Sequence, residues 1–110
     1  MIVDVRTYRC RPGTLPAQLA LYEKYAYPTQ LKYIGEPLAF VYGETGALNT
    51  YVHLWPYESA GDREQKRAAM TADPAWAIYT KELRAAGFLT EQHNSLMIPA
   101  KFAPPVKITL

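Results

Sequence analysis

The residues of this chain best suited to chemistry lie in the stretch from Gly46 to Arg67, where a histidine stands between two aromatic side chains. Alternation along an extended strand places Tyr51, His53 and Trp55 on one side of that strand. A histidine can carry a proton near neutral pH or bind a metal, so His53 is a candidate catalytic base. A hydrogen-bonded, structural role for His53 is the competing interpretation.

Further polar residues are candidates for a ligand site beside His53. Arg6 and Tyr8 share one face of the first predicted strand, and a buried arginine can bind a carboxylate in forked geometry. An ion pair with Asp4 or with a partner subunit is the alternative for Arg6. The sequence leaves open which face of the last predicted strand joins His53. The candidate ligand-binding residues are Arg6, Tyr8, Tyr51, His53, Trp55 and Asn94.

We expect neither a metal nor a cofactor. Zinc and iron sites need several converging ligands, and the only other histidine is His93. Cys10 is the single cysteine, which excludes an intrachain disulfide. No G-x-S-x-G motif is present. An enzyme built from this chain would rely on His53, Arg6 and tyrosine hydroxyls, an inventory that fits activation of molecular oxygen by an electron-rich bound substrate.

A dense charge cluster follows the candidate strand. Arg63 and Arg67 are four residues apart and would share one side of a helix. A solvated helix face is one interpretation of this pair, and binding of a phosphate or carboxylate is the other. Trp76 and Tyr79 are expected to pack in the core.

Composition and charge exclude several classes of function. The 110 residues are 49% hydrophobic and carry a net charge of +2 without any run of like charge, so nucleic acid is not an expected partner. No apolar stretch approaches the roughly 20 residues needed to span a bilayer. Asp4 and Arg6 interrupt the region where a signal peptide would be apolar. We therefore expect a cytoplasmic protein.

The elements that must position these side chains can be read from periodicity and capping. Strands are predicted at residues 2–9, 38–43, 49–57 and 88–98. One helix is predicted from Thr14 to near Tyr27, where Pro28 should end it. A second should begin at Ser59, and a third at Asp73-Pro74. Gly87 should end the third helix.

This order predicts an α+β, ferredoxin-like βαββαβ fold with an antiparallel four-stranded sheet and the helices on one face. We expect the helices to cover Val3, Val5, Val52 and Leu54. The candidate site residues would then form the uncovered face. Monomers seldom leave so large an apolar patch open, so a second subunit is expected to cover it.

The chain resembles the NIPSNAP family over nearly its whole length. The resemblance is carried by Arg6-Thr7-Tyr8, Pro12-Gly13, the stretch GALNTYVHLWPYES that begins at Gly46, Arg63, Arg67, Asp73-Pro74 and Trp76. It implies one domain over residues 1–102 with a tail at 103–110, and a homodimeric α/β barrel in which two open sheet faces meet. The biochemical role that it implies is undefined. Animal members of the family are linked to vesicular transport and mitochondrial quality control.

Three functions are compatible with the sequence. The leading one is binding of a small organic molecule between the sheet faces of the dimer. The wider barrel group that the resemblance implies includes cofactor-independent monooxygenases, so an enzyme with His53 as base is the second. The third is a non-enzymatic protein-interaction module. The first two require a polar cavity next to His53, whereas the third requires a filled interior.

Overall fold

Four strands and four helices make up the computed structural model, which describes residues 1–110. The strands are β1 (Ile2–Cys10), β2 (Ala39–Tyr42), β3 (Thr50–Tyr57) and β4 (Leu89–Met97). The helices are α1 (Leu15–Tyr25), α2 (Tyr27–Tyr33), α3 (Ala60–Ala72) and α4 (Pro74–Ala86). The strands pair antiparallel in the order β2-β3-β1-β4, which confirms the expected ferredoxin-like fold. None of the helices is both long and apolar enough to cross a bilayer.

The ends of α3 and α4 follow the predicted capping residues. The Ser59 hydroxyl accepts a hydrogen bond from the Asp62 N–H at 3.1 Å, and α3 begins at the next residue. The Asp73 carboxylate accepts from the Ala75 N–H at 2.9 Å. Gly87 ends α4 in the left-handed conformation with φ of 63°, which glycine adopts without steric cost. Ser59, Asp73 and Gly87 therefore cap the helices as the sequence predicts.

Pro28 has a second role that the sequence analysis missed. The helix α1 ends at Tyr25, close to the predicted end, but a second helix then begins at Tyr27. Pro28 occupies the first turn of α2, where a missing backbone N–H costs no hydrogen bond. The extra helix carries Gln30, which becomes important in the site described below.

The helices cover the opposite sheet face from the one expected. Tyr51 accepts a hydrogen bond from Gln18 of α1 at 3.1 Å. Trp55 packs in a core cluster with Ile34 and Met70, which follow α2 and lie in α3 respectively. Tyr51 and Trp55 are each only 1% exposed. The prediction that the helices cover Val3, Val5, Val52 and Leu54, and leave the aromatic face open, is therefore wrong.

The physical reason lies in what the helices present to the sheet. The buried side of α1 contains a glutamine, Gln18, between Leu15 and Tyr22. A buried amide needs a hydrogen-bonding partner, which tyrosine offers and valine does not. The sheet face that carries both aromatic rings and polar groups is consequently the face that the helices can cover.

The other sheet face carries β-branched and aliphatic side chains that lie opposite one another on neighbouring strands. Val5 pairs with Leu54, and Thr7 pairs with Val52. On the edge strand, Val41 pairs with Val52 and is 53% exposed. This set of residues, which we call the open face, is the apolar surface that the helices leave uncovered.

The C-terminal segment packs on its own subunit. The Thr109 hydroxyl accepts a hydrogen bond from the Glu36 N–H at 2.7 Å, on the connection between α2 and β2. A Cβ atom at the neighbouring Gly35 would lie 2.7 Å from the same hydroxyl, and the backbone there has φ of +92°. Both observations require glycine at position 35. The tail expected at residues 103–110 therefore contacts the connection between α2 and β2 of its own chain.

Tyr51→Phe tests the covered face. The substitution removes the acceptor of a buried hydrogen bond and leaves the Gln18 amide without it, so we expect a loss of about 1–3 kcal/mol in the free energy of unfolding. Urea unfolding measures this loss.

Tyr42→Phe is the matched control, because Tyr42 is 60% exposed. A change within about 0.5 kcal/mol is expected there. If the two variants were equally stable, the hydrogen bond between α1 and the sheet would not stabilise this packing.

Candidate functional site

A cavity of about 140 Å³ lies between the covered face of the sheet and the helices. It is comparable to engineered apolar cavities of about 150 Å³ that bind benzene. Side chains from three strands and all four helices line it. The lining residues are Arg6, Tyr8, Tyr22, Gln30, His53, Arg67, Trp76, Tyr79, Thr80, Leu83 and Gln92.

Three of the six predicted ligand-binding residues line this cavity, namely Arg6, Tyr8 and His53. Tyr51 and Trp55 share their sheet face but are buried in the core on either side of His53. All the residues that line the cavity come from one chain, so it lies within one subunit. The expectation that these residues meet between the sheet faces of two subunits is therefore corrected, since the same strand faces lie under the chain's own helices.

The register of β4 settles the question that the sequence left open. Both Asn94 and His53 pair with Arg6, one from each side of β1, so Asn94 shares the covered face with His53. The Asn94 amide donates a hydrogen bond to Asp4 at 2.9 Å rather than lining the cavity. Its neighbour on the same face, Gln92, is the β4 residue that lines it.

Asp4 is a fully buried carboxylate held by two arginines. Its Oδ2 accepts from Arg6 Nη1 and from Arg63 Nε, both at 3.1 Å, and its Oδ1 accepts from Asn94. Burial raises the pKa of Asp4, but the Asn94 hydrogen bond and the charges of Arg6 and Arg63 together lower it below its ordinary value. Arg6 therefore forms an ion pair with Asp4, which was the alternative interpretation of its role.

His53 is buried, and its hydrogen bond with Trp55 fixes which ring nitrogen carries the proton. The Trp55 indole N–H donates to His53 Nδ1. An indole nitrogen only donates, so Nδ1 is the acceptor and the proton of the neutral ring lies on Nε2. Burial lowers the pKa of His53 to about 3, and the positive charge of Arg6 contributes in the same direction. His53 is therefore neutral near pH 7 and presents an N–H to the cavity.

Aromatic rings surround His53 on several sides. Its ring stacks on Phe40, with centroids 4.6 Å apart, and on Tyr8 at 5.2 Å. The Tyr22 ring meets it edge-on at 5.6 Å. Burial raises the pKa of Tyr22 well above its ordinary value, so its hydroxyl stays protonated. The rings pack around His53 and supply the apolar part of a cavity wall that also carries polar and charged side chains.

Three polar atoms on side chains that line this cavity have no hydrogen-bond partner within the protein. They are Tyr22 Oη, Gln30 Oε1 and His53 Nε2, on side chains that are between 1% and 5% exposed. Only six buried side-chain atoms in the chain lack a partner, so half of them meet here. An unpaired buried polar atom costs about 1–3 kcal/mol, and such atoms are uncommon in folded proteins. Their convergence marks this cavity as the candidate functional site.

The helices supply site residues that the sequence reading did not assign. Tyr79 was expected in the core, Tyr22 was given no role in a site, and for Arg67 a solvated helix face and the binding of a phosphate or carboxylate both remained open. The best available signal was a glutamine among apolar neighbours, as at Gln18 and Gln30, because a buried amide on such a face needs a partner. No group of three or more His, Cys, Asp or Glu side chains is arranged to hold a metal ion.

Comparison with known proteins gives the family. The NIPSNAP family model matches residues 3–104. Protein NipSnap homolog of Dictyostelium discoideum is 36% identical over 98 residues, which cover 89% of this chain and 42% of that relative. The chain therefore spans less than half the length of this curated relative.

Solved structures agree with the fold and the family. The crystal structure of protein Atu4242 from Agrobacterium tumefaciens has a TM-score of 0.89 and 33% identity, covering 96% of this chain and all of that one. An antibiotic biosynthesis monooxygenase has a TM-score of 0.61 at 14% identity, with 91% of this chain and 99% of that chain covered, so it shares the fold alone. On the family-model match and these likenesses, the chain belongs to the NIPSNAP family.

Proposed function

We propose that this NIPSNAP protein binds a small organic molecule in the cavity beside His53. The observation that carries the proposal is that three side chains lining one space of about 140 Å³, Tyr22, Gln30 and His53, each carry an unpaired, buried polar atom. A ligand with polar groups at matching positions would pair these atoms and recover their desolvation cost.

The cavity also bears on the choice between ligand binding and a pure interaction module. An interaction module would have a filled interior, whereas a polar-lined space lies directly beside His53. Its wall is rich in aromatic rings, including Tyr8, Tyr22 and Tyr79, which suit a flat, unsaturated ligand. Size and lining thus both support a molecule of about one ring.

A cofactor-independent, monooxygenase-like activity is the second candidate, with a changed role for His53. The Nδ1 lone pair is occupied by the Trp55 indole N–H, so proton removal by His53 receives no support from the geometry. A fixed N–H aimed into a buried space can instead stabilise negative charge that develops on a substrate oxygen. In such a reaction His53 would act as a donor to the oxyanion.

A homodimer formed through the open face completes this proposal. Val41, Val52 and Leu54 present an apolar surface on the side of the sheet that carries no helix, and apolar surfaces of this kind mark interaction sites. A cytoplasmic location is also proposed, since a lone, buried Cys10 suits a reducing compartment.

Tyr22→Phe tests ligand binding without disrupting the fold. The Tyr22 hydroxyl has no partner in the protein, so its removal should leave the free energy of unfolding unchanged or slightly higher. A one-ring compound that raises the melting temperature of the wild type should raise it less in this variant. The measurement is a melting-shift screen over neutral and acidic benzene derivatives, because a bound ligand stabilises the native state by mass action.

Tyr25→Phe is the control for this screen, since Tyr25 is a partly buried tyrosine of the same helix outside the cavity lining. Its melting shift should equal that of the wild type. Equal shifts in both variants would place the ligand elsewhere.

His53→Gln should reduce the sensitivity of the fold to acid. The unfolded chain protonates this histidine below about pH 6.5, whereas the folded chain keeps it neutral down to about pH 3, so acid favours unfolding. The free energy of unfolding of the wild type should therefore contain a component that falls by about 1.4 kcal/mol per pH unit between about pH 6 and about pH 4. Urea unfolding across this range should show the component in the wild type and not in His53→Gln.

The other histidine provides the control. His93 is exposed on β4, so His93→Gln should keep the acid dependence of the wild type. A wild-type slope no steeper than that of His53→Gln would contradict a buried, neutral His53.

Val41→Glu tests the homodimer. Val41 lies on the open face and is 53% exposed in the subunit, so a charge there should break the contact between subunits while leaving the subunit folded. Light scattering should give a dimer mass for the wild type and a monomer mass for the variant. Tyr42→Glu, which alters an exposed residue on the other side of the same strand, should remain dimeric.

A further inference from the structure

The charges on the cavity wall are unbalanced. Arg6 and Arg67 line the cavity, and no aspartate or glutamate does. The adjacent carboxylate, Asp4, is shared between Arg6 and Arg63. One buried negative charge thus stands against three arginines, which leaves a positive potential at the cavity.

Arg67 is the arginine of the cavity wall that has no carboxylate partner. Arg6 already donates from Nη1 to Asp4 and from Nε to Tyr8. Arg67 lies one helical turn beyond Arg63 on α3, on the same side of the helix, and forms no salt bridge with any carboxylate of the chain. Guanidinium groups bind carboxylates with two parallel hydrogen bonds.

The unpaired polar atoms specify which further polar groups the ligand needs. The Nε2–H of His53 is a donor and therefore takes an oxygen acceptor such as a carboxylate. Gln30 Oε1 is an acceptor and takes a donor, such as a phenolic O–H. The Tyr22 hydroxyl can donate to the carboxylate or accept from the phenolic O–H. A flat apolar molecule that carries one acceptor group and one donor group can pair with these atoms.

We propose that the ligand is a single-ring aromatic acid with a phenolic hydroxyl, whose carboxylate pairs with Arg67 and accepts from His53. This inference rests on the ligand-binding function proposed above. The para-hydroxybenzoate ion is the simplest probe of the class, and para-hydroxybenzyl alcohol is its neutral counterpart of similar shape. Benzoate retains the charge and lacks the hydroxyl.

Titration calorimetry at neutral pH with these three probes tests the inference on the full chain. The hydroxybenzoate should bind at least about tenfold more tightly than the alcohol, as expected for a charge-assisted hydrogen bond, and more tightly than benzoate. Arg67→Gln should remove the advantage over the alcohol while leaving the affinity for the alcohol within about twofold. Arg67→Lys should restore part of the advantage, because it keeps the charge but not the fork.

Arg84→Gln is the matched control, since it removes one exposed arginine of α4 that does not line this cavity. It should bind all three probes as the wild type does. Equal affinities for acid and alcohol in the wild type would overturn the inference and leave small-molecule binding standing. An equal loss for both probes in Arg67→Gln would overturn the role of Arg67 as the anion partner. No binding of any one-ring compound, neutral or acidic, would overturn the proposed function and the inference with it.

Discussion

The structure depends on the burial of one carboxylate, Asp4, in the first strand. A buried charge is tolerated only when it is paired and hydrogen-bonded, and Asp4 obtains its partners from three different elements, through Arg6 of β1, Arg63 of α3 and Asn94 of β4. Because Arg63 must reach Asp4, α3 has to lie over the face of β1 that carries it. An electrostatic requirement thus fixes which side of the sheet is covered.

The rest of the architecture follows from strand alternation. Once Asp4 and Arg6 lie under the helices, so do Tyr8 on the same strand and His53 on the next, since paired residues share a face. The intervening residues Val5 and Thr7 then lie on the sheet face opposite the helices. A single choice of face therefore places the aromatic residues in the core, forms the cavity between them and the helices, and leaves the open face without a covering helix.

The sequence was sufficient for the strands and for the ends of α3 and α4, but it predicted neither α2 nor the sheet face that the helices cover. The caps at Ser59 and Asp73 and the stop at Gly87 are local interactions, so the residues themselves predicted them. A period of two divides a strand into two sets of residues but does not say which set is covered. We took the β-branched set as the core by hydrophobicity, whereas the long-range pairing of Asp4 with Arg63, separated by 59 residues, decided otherwise. The cavity could not be predicted either. Its walls come from all four helices as well as the sheet, so it depends on the same long-range packing.

The unpaired atoms around His53 also bear on why the site persists. A domain of this size has a net stability of only about 5–15 kcal/mol, and each unpaired buried atom costs about 1–3 kcal/mol of it. Replacing Tyr22 by phenylalanine would remove one such cost with almost no change in shape. Natural proteins depart from such local rules chiefly at functional sites, where the cost is offset by something other than folding. The positive charges of Arg6 and Arg67 fit the same explanation. Burial is the main cause of the lowered pKa of His53, the two arginines lower it further, and no carboxylate on the cavity wall balances their charge.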